Sequence, residues 1–353
     1  MRDILSEIEQ WRAAGKRIAT ATVVSVVGSA PRNVGATLAV NEDGEIAGSV
    51  SGGCVEPAVI EDELRALRGG APKLLTFGIT EEQNVEQIGL SCGGEIRVFV
   101  ETLRDDALLD ALRHALPAAT ATVIAAPANH QALLGARIAL VEGASPSGTT
   151  GHAELDAALA GAASDLLAAG RSETRTFPLP GGETCEVYIG VYPAPPTLII
   201  VGAGHVTLPL TSIAKVLGYH VIVIDPREAF ATPDRLRDAD EVLLEWPDEA
   251  MAHLSLTSAT AVAVLTHDDK FDVPALQAAL SKPVSYVGAI GSRGTRQRRD
   301  DRLREVGVTD EQIGRIHGPI GLDLGARAPE EIALSIMAEI VATRNGRHPA
   351  LVR

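Results

Sequence analysis

The chain of 353 residues is short of sulfur, of aromatic rings and of positive charge, and each shortage excludes something. Three cysteines cannot build a disulfide framework, and an odd number leaves at least one thiol over. Two Trp, four Tyr and five Phe are too few for a stacking platform that would hold single-stranded nucleic acid. Lys and Arg number 31 against 46 Asp and Glu, a formal charge of −15, which argues against nucleic acid and against anionic membrane surfaces as partners. No run approaches the roughly 18 apolar residues that a transmembrane helix needs. The opening segment MRDILSEIEQW carries acids and lacks the apolar stretch of a secretory signal. The expectation is a cytoplasmic protein whose thiols stay reduced.

What is present reads as two folded domains. Hydrophobic residues make up 46% and charged residues 22%, an ordinary globular balance that excludes wholesale disorder. The length exceeds the roughly 250–300 residues at which one core stops growing. The stretch Pro193-Ala194-Pro195-Pro196 continues neither a helix nor a central strand and reads as a stiff linker. The predicted division is therefore 1–192, a linker at 193–196, and 197–353. After the linker, short apolar β-branched runs at 198–201, 221–224, 241–244, 261–265 and 284–290 alternate with helical segments such as 208–217 and 274–280. That alternation predicts a doubly wound parallel sheet covered on both faces. A last helix starts at Pro329 and stops near Gly346. The first half reads as a mixed α/β domain: a helix at 4–14, strands at 19–27, 37–40 and 46–50, a helix at 57–67, a strand at 95–101, and a further α/β stretch over 107–191 with a helix at 152–169. No internal repeat is read from it.

Residues 198–225 have the arithmetic of a dinucleotide-binding unit. An apolar strand ends in Val201-Gly202-Ala203-Gly204-His205-Val206-Thr207 and a helix follows. Gly202 suits the tight turn, Gly204 lets a phosphate approach the backbone, and Asp225 closes the next strand where an acid accepts ribose hydroxyls. Thr207 departs from the pattern, since Gly or Ala would pack helix against strand there. His205, Asp225, Arg227, the Thr266-His267-Asp268 cluster and the turn from Gly288 through Ser292 to Arg293 all follow predicted strands, so they collect along the ligand edge of the sheet. His205 either bonds a ligand or satisfies the helix start. Arg227 pairs with a phosphate or with Asp225. Asp268, Asp269 and Asp272 suit a metal, but a helix cap is preferred. The six arginines from Arg293 to Arg304 read as a solvated, self-paired helix face, with Arg293 placed to clamp an anion.

Two cysteines lie among glycines. Cys54 stands in Gly48-Ser49-Val50-Ser51-Gly52-Gly53-Cys54-Val55-Glu56-Pro57, at or just before a predicted helix N-terminus, a position that favours a thiolate able to ligate soft metals or attack sulfur. Cys92 stands in Gly89-Leu90-Ser91-Cys92-Gly93-Gly94. Burial as small hydrophobes is the plain alternative for both. Cys185 is assigned to structure. Arg32, the one cation of Gly28-Ser29-Ala30-Pro31-Arg32-Asn33-Val34-Gly35-Ala36, meets either an anionic ligand near Cys54 or a surface acid. The spacing of Cys54 and Cys92 does not make a structural zinc site.

The segments GSAPRNVGA, GSVSGGCVE, GLSCGG, IIVGAGHV, DPR, LTHDDKFD, YVGAIGSRGTR and GPIGLDLGARAPEEIALSIMAEI resemble those of the XdhC/CoxI family, accessory proteins for xanthine dehydrogenase and carbon monoxide dehydrogenase, and they appear in family order from about residue 20 to 345. The resemblance implies a Rossmann-like second domain and a maturation factor rather than a catalyst. Such a chaperone binds the molybdenum cofactor (molybdopterin), protects it, assists its sulfuration with a cysteine desulfurase, and inserts it into a xanthine dehydrogenase-like apo-enzyme; a homodimer is an open option. By motif, Cys54 and Cys92 become the candidates for contact with molybdenum, beside Gly52, Gly53 and Arg32. The alternative is an NAD(P)-dependent oxidoreductase, with Gly202, Gly204 and Asp225 holding the dinucleotide and His205 or His267 donating a proton. A weaker third reading is a redox-sensing adaptor working through the cysteines alone.

Overall fold

A computed structural model of the chain describes residues 1–78, 94–104 and 106–347, with Arg293 described by its backbone alone. The chain divides into two compact units, Met1–Ala194 and Pro195–Arg353.

In the first unit, helix α1 (Leu5–Ala13) leads into strands β1 (Ile18–Val27), β2 (Thr37–Asn41) and β3 (Ile46–Gly48), helix α2 (Glu56–Leu67), and strands β4 (Lys73–Phe77) and β5 (Glu95–Thr102). Then the series repeats. Helix α3 (Asp106–Arg113) leads into β6 (Ala118–Ala125), β7 (Arg137–Val141) and β8 (Ser147–Gly148), helix α4 (Ala153–Ala169), and β9 (Glu173–Pro178) and β10 (Thr184–Tyr192). The two antiparallel sheets have matching orders, β3-β2-β1-β5-β4 and β8-β7-β6-β10-β9. Registers match as well. Ala19 pairs Val40 where Ala119 pairs Leu140, and Leu74 pairs Phe99 where Thr174 pairs Tyr188. Both central strands break register at matching residues, Val24 and Ile124. A Cβ at Gly48 would stand 2.2 Å from the Thr37 carbonyl oxygen, and one at Gly148 would stand 2.3 Å from that of Arg137, so both third strands need glycine at the same place.

The first unit is thus an internal duplication, which the sequence reading did not find. The signal was there: the pentapeptide ATATV occupies both 19–23 and 119–123, one hundred residues apart, and Gly-Ala follows each at the same spacing. The rest of the two copies has diverged within the limits of apolar alternation, so only strand-facing residues repeat. Helix α2 covers one face of the first sheet and α4 one face of the second. The remaining faces meet through Val24, Phe99, Ile124 and Tyr188, again matching positions, with an Arg97–Glu186 ion pair of 2.7 Å at the rim.

The second unit is the expected parallel sheet. Its elements are β11 (Thr197–Val201), α5 (Thr207–Val216), β12 (His220–Ile224), β13 (Glu241–Leu243), α6 (Pro247–His253), β14 (Thr260–Val264), α7 (Asp269–Leu280), β15 (Tyr286–Ala289), α8 (Arg293–Glu305), α9 (Asp310–Gly314), β16 (Ile316–His317) and α10 (Pro329–Arg344). The order β13-β12-β11-β14-β15-β16 reverses direction between β11 and β14, the switch point where ligands of such sheets bind. Helices α5 and α10 cover one face; α6, α7, α8 and α9 cover the other. Helix α7 starts five residues before Pro274 because Asp268 caps it, accepting from the Lys270 amide at 3.2 Å; the proline forgoes only the bond to the Lys270 carbonyl. No described helix is long and apolar enough to cross a membrane.

Candidate functional site

Residues 49–55 connect β3 to α2 and carry Cys54. Glu56, the first residue of α2, folds its carboxylate back over them. One oxygen accepts from the Ser49 hydroxyl at 2.6 Å and from the amides of Ser51 at 2.8 Å and Val50 at 3.2 Å. The other accepts from the Ser51 hydroxyl and from the amides of Gly53 at 2.9 Å and Val55 at 3.2 Å. The Ser51 oxygen takes the Cys54 and Val55 amides, each at 3.0 Å, and the Ser49 oxygen takes the Gly52 amide at 2.8 Å. Every amide from 50 to 55 is therefore bonded inside the loop, which is rigid and offers a ligand its side chains rather than an N–H cradle. Gly52 (φ +75°) and Gly53 (φ +114°) supply the left-handed backbone the wrap requires, and among the described residues nothing lies within 4 Å of where a Cβ on Gly53 would point. Burial works to raise the Glu56 carboxyl, but the Ser49 and Ser51 hydroxyls and the loop amides outweigh it and hold the group at about 2. Cys54 itself is half-buried, two residues ahead of α2, against the cluster that includes Val50, Val55 and Val59.

The glycine-rich segments converge here. A Cβ on Gly52 would touch Pro31, and one on Gly94 would stand 2.1 Å from the Ser29 carbonyl oxygen, so the turn 28–36 lies against the Cys54 loop and against the start of β5. Arg32 pairs with Asp3 at 3.5 Å, the surface-acid alternative. Cys92 lies outside the described residues. Cys185 is buried in β10, and burial pushes its thiol up, in keeping with the structural role.

In the second unit, the loop after β11 meets the end of β14: a Cβ on Gly202 (φ +104°) would stand 2.6 Å from the Thr266 methyl. Thr207 is fully buried, and its hydroxyl donates to the Gly202 carbonyl at 2.5 Å, which explains a hydroxyl where Gly or Ala is usual. Asp225 is buried, with one oxygen accepting from the Ala203 amide at 2.8 Å and from Arg227 NH2 at 2.7 Å, the other from the Arg227 amide at 3.0 Å and Nε at 2.8 Å. Burial would raise its carboxyl, but Arg227 and the Ala203 amide hold it below the usual range. His205 and His267 stand exposed along the same edge, and Ser292 caps α8 by accepting from the Thr295 amide at 3.2 Å.

Residues 198–340 match the family model described as the XdhC Rossmann domain, and residues 11–78 match that of the XdhC and CoxI family. The chain belongs to the XdhC and CoxI family. The matched stretch 11–78 holds β1 to β4 and the Cys54 loop, that is, the first copy of the duplication short of β5. The chain is 28% identical over 331 residues, 92% of either chain, to a Bacillus subtilis protein described as a probable xanthine dehydrogenase subunit. It is 28% identical over 345 residues, 97% of this chain and 88% of the other, to the molybdenum cofactor insertion chaperone PaoD of Escherichia coli. Among solved structures, one described as a xanthine dehydrogenase from Bacillus halodurans covers 98% of this chain and 97% of its own at a TM-score of 0.75 and 22% identity, which confirms the fold.

Several polar groups of this XdhC/CoxI chain escaped the sequence reading. Glu56 looks like any acid in a first helical turn. Glu63, on the buried face of α2, is fully buried with both oxygens unpartnered, and burial pushes it up to about 9. Asp272, considered as a cap or metal ligand, is buried and accepts from the Thr266 hydroxyl; burial pushes it up to about 6. Most arginines on α8 whose side chains are described behave as read: Arg298 pairs Asp269, Arg302 pairs Glu305, Arg304 pairs Asp301 and Asp310, and Arg296 reaches the Gly318 carbonyl. Arg299 departs from that reading, because it is buried. Glu339 gathers the Tyr286 hydroxyl at 2.6 Å, the Gly321 amide at 2.8 Å and His317 Nδ1 at 3.0 Å, fixing the loop after β16. No spacing rule announces the contacts of Glu339, because they join elements far apart in sequence.

Proposed function

We propose that this protein is a maturation factor for molybdenum hydroxylases of the xanthine dehydrogenase type: it binds the molybdenum cofactor, protects it, assists its sulfuration by a cysteine desulfurase, and inserts it into the apo-enzyme in the cytosol. The observation that carries the reading is the Cys54 loop, held rigid by Glu56 inside the stretch that matches the XdhC and CoxI model, in a chain similar along nearly its whole length to a molybdenum cofactor insertion chaperone.

The donor set fits the group. A thiol is a soft ligand suited to molybdenum and to sulfur in transit. Cys54 is half-buried, near enough to solvent to be approached, and the empty side of Gly53 leaves room beside it. The cofactor would supply the metal and its exchangeable oxo or sulfido ligand. Glu56, Ser49 and Ser51 hold the Cys54 backbone, and Cys54 would contact the metal, with Cys92 the second candidate by its family motif. Since the loop amides are all engaged, the cofactor phosphate would find its partners elsewhere. A hold that rests on thiol contacts rather than on an amide cradle is one that docking on the apo-enzyme can release.

The test is retention. Full-length protein purified without oxygen is mixed with molybdenum cofactor, and the bound pterin is measured by its fluorescence after oxidation. Wild type is expected to retain cofactor, and Cys54→Ser and Cys92→Ser to retain several-fold less. No retention by wild type, or retention in both variants equal to that of wild type, overturns the proposal.

A further inference from the structure

In a chain with few aromatic rings, three gather where the parallel sheet ends: Phe230 after β12, Trp246 after β13 and Phe271 after β14. Phe230 and Trp246 remain 42% and 43% exposed, unusual for rings of this size. Arg227 lies against Phe230 and Phe271. Its guanidinium carbon lies 4.4 Å from the Phe230 ring centroid and 5.5 Å from that of Phe271, and Phe271 lies 5.1 Å from Trp246, ring to ring. Lys270 Nζ stands 4.8 Å from the Phe271 centroid and pairs with Asp268 at 3.2 Å.

Asp225 does not serve this edge as an acid of a dinucleotide site usually does. A carboxylate has about four acceptor positions, and all four are filled by Ala203 and Arg227. A ribose diol has nothing left to bond. What Asp225 does instead is brace Arg227: with Nε and NH2 tied down and a ring against its face, the guanidinium is fixed in plane, and among the described residues NH1 makes no hydrogen bond. A planar, pre-set fork with a free donor edge suits a phosphate, and the exposed rings beside it suit a heteroaromatic base. The turn at Gly202 and Gly204, bonded to the same Asp225 and open at Gly204, lies next to it at the switch point.

We propose that the edge of the second unit binds a purine nucleotide that carries a further phosphate on the ribose 2′-oxygen, with Arg227 on that phosphate and the base against the aromatic rim of Phe230 and Trp246. The inference is independent of Cys54, and its test separates the two. The chain has two tryptophans, Trp11 in the core of the first unit and Trp246 at this rim, so intrinsic fluorescence reports the site. Full-length protein is titrated with adenosine 2′,5′-bisphosphate and with adenosine 5′-monophosphate. Saturable quenching is expected with both, at least ten-fold tighter for the bisphosphate. Arg227→Lys, which keeps the charge beside Asp225 but loses the fork, is expected to abolish most of that preference, and Cys54→Ser to leave it unchanged. In Trp246→Phe the quenching disappears while binding measured by equilibrium dialysis persists. Absence of saturable binding, equal affinity for the two nucleotides, or an undiminished preference in Arg227→Lys overturns the proposal. Tighter binding of a pterin phosphate than of the bisphosphate overturns it in favour of a different ring.

Discussion

Residues 18–102 and 118–192 fold to one strand order with one register, yet their connections are furnished differently. Where the first copy has Gly52-Gly53-Cys54, the second has His152-Ala153-Glu154 at the matching positions. Between its last two strands the first copy runs seventeen residues, including Cys92, and the second only five. The carboxylate that folds back over the loop is kept in both. Asp156 accepts from the Thr149 hydroxyl at 2.6 Å and from the Thr150 amide and hydroxyl at 2.7 and 2.5 Å, as Glu56 does from Ser49, Val50 and Ser51. A feature shared by both copies belongs to the architecture of the module. A feature found in one is where a specific task has been added. By that comparison the carboxylate clamp is scaffold, and under the proposed function the thiols of the first copy are what was added to it.

The largest contrast in stability concerns Glu63, whose counterpart is the core residue Ala163. Its folded value of about 9 lies above the ordinary 4.5, so the stability tied to this carboxyl is fully present below about pH 4.5 and is lost as pH rises toward 9. Glu63→Met, apolar and of similar volume, should gain about 3 kcal/mol at pH 8 and much less at pH 4, measured by denaturant unfolding across pH. A gain that does not vary with pH would mean the carboxyl is not buried neutral.

Next come the two clamps. Glu56→Gln should lower stability by about 2–3 kcal/mol and Asp156→Asn by about 1–2 kcal/mol, water screening part of each because both groups reach solvent. Glu56 is depressed to about 2, so its contribution is present above about pH 4.5 and drains as pH falls toward 2; the wild-type advantage over Glu56→Gln should shrink on that limb. If Asp156→Asn proves the costlier change, the two clamps are not equivalent devices.

Arg97 and Glu186 occupy matching positions in β5 and β10 and face each other. Arg97→Glu alone should cost about 1 kcal/mol, and exchange of the two charges should restore wild-type stability within about 0.5 kcal/mol. Failure of the exchange would show that the environments of the two strands differ more than their registers do. The smallest effect is at the ends of α1 and α3, where Gly15 (φ +72°) and Ala115 (φ +57°) follow the helices in left-handed conformation. Ala115→Gly should raise stability by a few tenths to about 1 kcal/mol, read as a small rise in melting temperature, because glycine enters that conformation without the Cβ clash.

The comparison also shows what a sequence discloses. The parallel sheet was legible because strands buried on both faces read as apolar runs, and the turn at Gly202 because its glycines and following acid stand at a fixed spacing. The Cys54 loop was legible through the same kind of local signal. The duplication was overlooked because antiparallel strands with alternating burial tolerate wide substitution, leaving ATATV and a few glycines as its trace. Glu63 was invisible because its helix face predicts an apolar residue; the Asp225–Arg227 pair was one of two alternatives read for Arg227, but the bond from the Ala203 amide was not, because a count of residues does not say which bonds an acid has already made.

We propose that cofactor handling resides in the first copy and that the second is its scaffold. Cofactor retention under exclusion of oxygen, measured side by side for Cys54→Ser and Glu154→Ala, tests it most directly. The expected result is several-fold loss in the first variant and full retention in the second; equal loss in both, or loss only in Glu154→Ala, would contradict it.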